Sequence, residues 1–291
     1  MASDLEPNVS PVDHVPSVDE EDHLALAAAR HPGVLLCTVV GIDGSFSRRL
    51  GSQLAVMPDG RVVGNLADGC LEEQLKADGR ATASPVTRRY GKGSEIIDFR
   101  LPCGGGLDIL IDPSPDRAAC AAAVRDLAQR RTACVALAPN PFLSARLYIP
   151  RLVVRAFGEG PEVDALQAVA AAAGIACEVV TKSNLSLGRR SELPPADRWS
   201  AVVTLFHDHE WETALLEEAL ESDAFYIGAQ GGLNARSARV DELRRSGATD
   251  ADLGRIRSPI GTPTGSRSPH ALALSILAEV AGEYERLRPA A

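Results

Sequence analysis

Residues 151–180, RLVVRAFGEGPEVDALQAVAAAAGIACEVV, decide how the second half of the chain is read. An apolar run is followed by Gly158-Glu159-Gly160, a stretch of helical periodicity and a second apolar run. Strand, glycine turn, helix and strand in that order form a crossover unit, which makes the two strands parallel. The pattern recurs downstream, where AVVTLF (201–206) and AFYIGA (224–229) each precede a helical segment, and HALALSILAEVAG (270–282) reads as an apolar helix. Residues 149–291 are therefore expected to form a parallel sheet covered on both faces, with ligands beyond the carboxyl ends of the strands.

Residues 22–148 have a different grammar. DHLALAAARH (22–31) has helical spacing that stops at Pro32-Gly33, and VLLCTVVGI (34–42) reads as a strand. QLAVMPDGRVVGNL (53–66) reads as two short strands joined by the Asp59-Gly60 turn, and a helix follows from Gly69-Cys70. Strand patterns at TRRYG and SEIIDFRL lead to a glycine-rich loop, Leu101 to Gly106, and then to the strand LDILIDP. PDRAACAAAVRDLAQRR reads as an amphipathic helix, and the strands ACVALA and SARLYI close this half. The expected fold is α/β, with an α+β domain over 22–148 and a Rossmann-like parallel-sheet domain over 149–291. The acidic, proline-bearing residues 1–21 are expected to be a disordered leader.

Composition excludes several classes of function. A hydrophobic content of 45% beside 24% charged residues is that of a globular chain, and no run nears the ~18–20 apolar residues of a membrane span. With no basic, apolar start to read as a signal peptide, the expected location is cytoplasmic. A net charge of −9 without a Lys/Arg run argues against nucleic acid as a partner, because that affinity rests on neutralising phosphates. The six cysteines are scattered without CxxC pairs, as expected of reduced thiols, and Cys37 and Cys134 lie in apolar runs that predict burial.

Candidate sites fall in both halves. Gly158-Glu159-Gly160 stands where a phosphate-cradling turn would, but Val163 replaces the third glycine and Thr181 replaces the acid that would hold a ribose. Glu159 adds repulsion, so these features weigh against NAD(P) and leave either a tight packing turn or another anion, for which Lys182 could supply charge. His207 and His209 could ligate a metal, although helix capping by Asp208 or His209 is the simpler reading. Gly231-Gly232, with Asn234, Arg236 and Arg239 after it, could receive an anion. In the first half Cys103 is followed by three glycines that leave its thiol room, and Cys70 stands at a helix N-terminus, where amides and the dipole favour an anion. Arg48 and Arg49 suit a phosphate.

Taken in order, several segments resemble the XdhC/CoxI family. They are Val39-Val40-Gly41 to Ser52 with its arginine pair, Asp68-Gly69-Cys70-Leu71-Glu72, Cys103-Gly104-Gly105, the Gly158-x-Gly160 turn, His207-Asp208-His209, Tyr226-Ile227-Gly228, and Pro259-Ile260-Gly261 through Ala278-Glu279. The resemblance implies a maturation factor that binds molybdenum cofactor (molybdopterin), protects it during sulfuration by a cysteine desulfurase, and delivers it to a molybdenum hydroxylase apoenzyme such as xanthine dehydrogenase. It implies no catalytic residue. Cys103 would face the molybdenum, with Cys70 second, and Arg48, Arg49, Gly104, Gly105, Gly158 and Gly160 would be cofactor contacts. A homodimer is compatible with this reading. Alternatives are an NAD(P)-dependent oxidoreductase and a hydroxylase-binding scaffold without a small ligand. The chain departs from the family pattern at Asp68, at Glu159 and Pro161, at Thr181, and at Gly231 to Asn234, which marks it as a divergent member.

Overall fold

The computed structural model describes residues 18–66, 69–94 and 104–288. Two five-stranded sheets organise it, in the orders β3-β2-β1-β5-β4 and β12-β11-β10-β8-β9, beside a two-stranded sheet of β6 and β7. In the first half the elements are α1 (Val18–Ala29), β1 (Leu35–Asp43), β2 (Gln53–Val56), β3 (Val62–Gly64), α2 (Cys70–Arg80), β4 (Val86–Gly91), β5 (Gly106–Asp112), α3 (Arg117–Ala128), β6 (Ala133–Ala136) and β7 (Ala145–Tyr148). In the second they are β8 (Val153–Gly158), α4 (Pro161–Ala172), β9 (Ala176–Val180), β10 (Ser200–Leu205), α5 (Glu212–Glu221), β11 (Tyr226–Ala229), α6 (Leu233–Arg245), α7 (Asp250–Arg255), β12 (Ile256–Arg257) and α8 (Pro269–Arg286).

The first sheet is antiparallel throughout. Its central strand β1 is buried on both faces, so its side chains divide by parity. Leu35, Cys37 and Val39 join Leu54, Leu71, Leu75, Tyr90 and Ile109 under α2, while Leu36 joins Leu26, Ala55, Cys120 and Tyr148 under α1 and α3. Helix α1 starts at Val18, earlier than the apolar spacing alone predicts, and so takes in the last four residues of the expected leader. The expected strand over SEIIDFRL lies outside the described residues, apart from Ser94.

The second sheet is parallel, as its crossover pattern predicts. Strands β8 and β10 are its central pair, and the order of strands reverses between them, which is where ligand crevices open in such sheets. Helices α4 and α8 cover one face with Leu166, Ile276 and Val280, and α5 and α6 cover the other with Leu216 and Leu243. The short α7 and β12 were not anticipated, although Thr249-x-x-Asp252 is a legible start signal: the Thr249 side chain accepts from Asp252 N and the Asp252 carboxylate takes the Thr249 amide.

A buried ion pair locks the helical layer to the sheet. Arg239 and Glu212, with side chains 4% and 1% exposed, meet at 2.9 Å. Arg239 also donates to Ser258 Oγ at 2.9 Å and to the Gln230 carbonyl at 2.7 Å, while Thr204 Oγ1 lies 3.3 Å from Glu212. Arg239 is thus spent on the protein's own carboxylate, which corrects its reading as an anion receptor. Removing one partner strands the other as an unpaired buried charge, so Arg239→Met is expected to cost about 3–5 kcal/mol in denaturant unfolding. The Glu212→Gln/Arg239→Met double variant should cost less than Arg239→Met alone; additive losses would refute the pairing.

Candidate functional site

The antiparallel topology brings three connections to one end of the first sheet. Strands β1, β3 and β4 end there and β2 and β5 begin there, as the pairings Asp43 with Gly106, Leu54 with Gly64 and Gly91 with Gly106 require. The loop after β1 carries Arg48 and Arg49, the connection after β3 leads to Cys70, and the connection before β5 ends in Gly104 and Gly105.

Direct contacts join them. Arg48 Nη2 donates to Asn65 Oδ1 at 3.1 Å, linking the first connection to the second. Gly44 lies so close to Gly105 that a Cβ on it would be 3.4 Å from the Gly105 Cα, linking the first to the third. Arg89 fastens the same rim by donating to Asp108 at 2.6 Å and to Asp43 at 3.0 Å. Sequence reasoning missed Arg89; the only available signal was its cross-strand position opposite Asp108.

The candidate residues differ in what they are free to do. The Arg48 and Arg49 side chains are 20% and 28% exposed, and both already have partners. Arg49 Nη1 reaches Glu285 Oε2 on α8 at 3.1 Å, and its Nη2 lies 3.9 Å from Asp22. Gly104 is exposed, has φ +69°, and among the described residues nothing lies within 4 Å of where its Cβ would be. Cys103 lies outside the described residues. Cys70 is an exposed free thiol at the first position of α2.

The helix end beneath Cys70 already holds an anion of its own. Glu72, 7% exposed, accepts from Leu66 N at 3.0 Å through one oxygen and from Gly69 N at 2.8 Å through the other. Its carboxylate satisfies amides that the sequence offered to an external anion. Gly69 at φ +96° makes the turn, a backbone conformation that favours glycine, and among the described residues nothing lies within 4 Å of the position its Cβ would occupy.

At the second sheet's carboxyl edge the polar side chains also meet one another. Lys182 Nζ meets Glu159 Oε1 at 3.2 Å and stands 5.5 Å over the Trp211 ring. His207 Nε2 lies 3.5 Å from Glu162 Oε2. Gly158 lets β8 close on α4, since a Cβ there would fall 2.9 Å from the Val163 side chain and 3.1 Å from the Leu205 backbone. Gly160 caps α4 at φ +93°, and Pro161 at its first position removes one amide donor. Asp208 accepts from Glu210 N at 3.2 Å, a capping role. Among the described residues no group of three or more His, Cys, Asp or Glu is arranged to hold a metal ion.

Residues 26–91 match the XdhC and CoxI family and residues 154–280 match the XdhC Rossmann domain. The chain is 31% identical over 274 residues to the molybdenum cofactor insertion chaperone PaoD of Escherichia coli strain K12, a match covering 86% of this chain and 83% of that one. It belongs to the XdhC/CoxI family. A crystal structure described as a xanthine dehydrogenase from Bacillus halodurans shares the fold, with a TM-score of 0.71 at 18% identity over 93% of this chain and 98% of that one. Among the described residues, no helix is long and apolar enough to cross a membrane.

The cysteines divide by environment. Cys37 is fully buried, with burial pushing its thiol above the ordinary range, and Cys120 is pushed up to about 11, also by burial first. Cys134, expected inside, is exposed, because β6 alternates and buries only Ala133 and Val135. In peptide-resolved alkylation of the native protein, Cys70 and Cys134 should label at least about tenfold faster than Cys37. Equal rates at Cys37 and Cys70 would contradict this division.

Proposed function

We propose that this chain is an accessory factor that binds molybdenum cofactor and delivers it to a molybdenum hydroxylase apoenzyme. The observation that carries the reading is its identity to a molybdenum cofactor insertion chaperone over most of both chains. The cargo would sit at the rim where the three connections of the first sheet converge. Molybdopterin carries a phosphate and a sulfur-ligated, soft metal, so it calls for cations, open backbone and a thiolate. This rim offers the exposed Cys70, the exposed Gly104 beside a buried Gly105, and the partly exposed Arg48 and Arg49. Cys103, next to Gly104, is the proposed metal-facing thiol and Cys70 the second.

In finer terms, the cargo would be sulfurated by a cysteine desulfurase while held, the client would be a hydroxylase of the xanthine dehydrogenase kind, and the exchange would take place in the cytoplasm, with a homodimer as a compatible assembly. Gly158 and Gly160 would contribute at most their own turn amides, since Glu159 holds Lys182 at that crevice and Pro161 removes a donor. The same features weigh against NAD(P) and hence against an oxidoreductase.

Purified from a host making the cofactor, the wild-type protein should carry molybdenum and pterin by native mass spectrometry, and Cys103→Ala should lose most of both. Wild-type protein free of pterin under those conditions would sink the proposal. Titration with NADH and NADPH should give no saturable fluorescence response below millimolar concentration; a micromolar response would revive the oxidoreductase reading.

A further inference from the structure

The carboxylate of Glu72 lies beneath the turn that presents Cys70, and neither the proposed chemistry nor the family resemblance gives it a task. It is buried on the third residue of α2, yet it makes more than the usual helix-start contact. In an ordinary capping box this side chain takes the amide of the residue before the helix, and a serine or threonine there returns the bond. Here the preceding residue is Gly69, which has no side chain to return it. The second oxygen instead reaches back to Leu66 N, on the chain leaving β3. One carboxylate therefore fastens both sides of the short connection that ends at the thiol. Leu66 and Leu71, 0% and 1% exposed, anchor the same stretch from below, so the backbone on either side of Cys70 is held while its sulfur stays accessible.

We propose that Glu72 is a positioning residue for Cys70, holding the thiol at the rim in the orientation from which it meets cofactor. The functional half of this inference rests on the reading of Cys70 as a cofactor contact; the positioning half rests on geometry alone. An isosteric amide cannot replace the carboxylate, because Leu66 N and Gly69 N both donate and only one side-chain atom of glutamine accepts. Aspartate keeps the charge but is one methylene short of spanning both amides. The neighbour Glu73 is the natural control: it is 73% exposed and pairs with Lys76 at 2.5 Å, so Glu73→Gln removes the same charge from the same turn and leaves the connection intact.

The test measures peptide-resolved iodoacetamide alkylation of Cys70 in the full-length protein, together with retention of molybdenum cofactor. Glu72→Gln should alkylate Cys70 about fivefold or more faster than wild type, because a loosened turn samples more orientations open to the reagent, and should retain about tenfold less cofactor. Glu73→Gln should match wild type in both. If Glu72→Gln does not fold, Glu72→Asp, with the same expected direction, takes its place. Alkylation within twofold of wild type in a folded variant would overturn the positioning role. Cofactor retained in full by Cys70→Ser would remove Cys70 from the cofactor site and with it the functional half, while the alkylation result would still decide whether Glu72 holds the turn.

Discussion

A single buried carboxylate holds together the half of the molecule that carries the proposed site. Asp22, 3% exposed on α1, accepts from Gln53 N at the start of β2 at 3.1 Å and from Arg146 Nη2 on β7 at 3.0 Å, and Arg49 stands 3.9 Å away. A charge taken out of water must be compensated fully or it drives the chain apart. Compensation here requires that the first helix, the second strand, the β6–β7 hairpin and the arginine loop all be in place together. Arg146 also donates to the Gly51 carbonyl at 2.6 Å, so the loop that carries Arg48 and Arg49 is tied down at its far end by the same group. The geometry of the rim is thus a consequence of one electrostatic requirement in the layer beneath it.

The two halves treat their ligand-facing edges in opposite ways. At the parallel sheet, the edge where a nucleotide fold ordinarily admits phosphate carries the chain's own Glu159–Lys182 ion pair, with His207 Nε2 3.5 Å from Glu162 Oε2. At the antiparallel sheet the amides under Cys70 are satisfied by Glu72, yet the thiol and Gly104 remain open to solvent. Internal neutralisation closes the first edge and stiffens the second. The halves also touch: Arg130 binds Asp197 through both carboxylate oxygens, at 2.6 and 2.9 Å, and reaches the Arg151 carbonyl. Burial alone would raise the Asp197 carboxyl, but the bonds from Arg130, Ser200 and the Trp199 amide outweigh it and hold that carboxyl below the ordinary range.

What could be read from sequence was whatever rests on local rules. The Asp59-Gly60 hairpin, the glycine turn after β8, the parallel order of the second half and the helix beginning at Cys70 all follow from periodicity and turn chemistry within a few residues. Asp22 and Arg89 carry no signal of their role, and Arg239 reads as an anion receptor, because their partners stand far away in sequence or across a sheet; Glu72 goes unread although its partners Leu66 and Gly69 are six and three residues away. Nothing in DHLALAAARH distinguishes a buried hub from a helix-start aspartate. Cys134 misled for the converse reason: an apolar run predicts burial on both sides, but a two-stranded sheet with one covered face buries only alternate residues. The site was legible as a set of motifs in order, and not as a place, since its convergence depends on the antiparallel register of five strands.

The proposed delivery role would impose a condition on the charges at the rim. A carrier must hold its cargo against loss and still give it up, so very tight binding would defeat the function proposed for this chain. Arg49 is not an empty receptor; it is already engaged by Glu285, itself 55% exposed and shared with Arg288 at 3.2 Å. A phosphate arriving there exchanges one ion pair for another, and exposed pairs of this kind are worth at most about 1 kcal/mol, so the net gain per contact is small. Affinity must then come from several modest contacts acting together, with a preorganised thiol among them, and the loss of any one on docking to a client lowers the hold on the rest. On the proposed function, the internal pairing that would make Arg49 a weak receptor would also favour release.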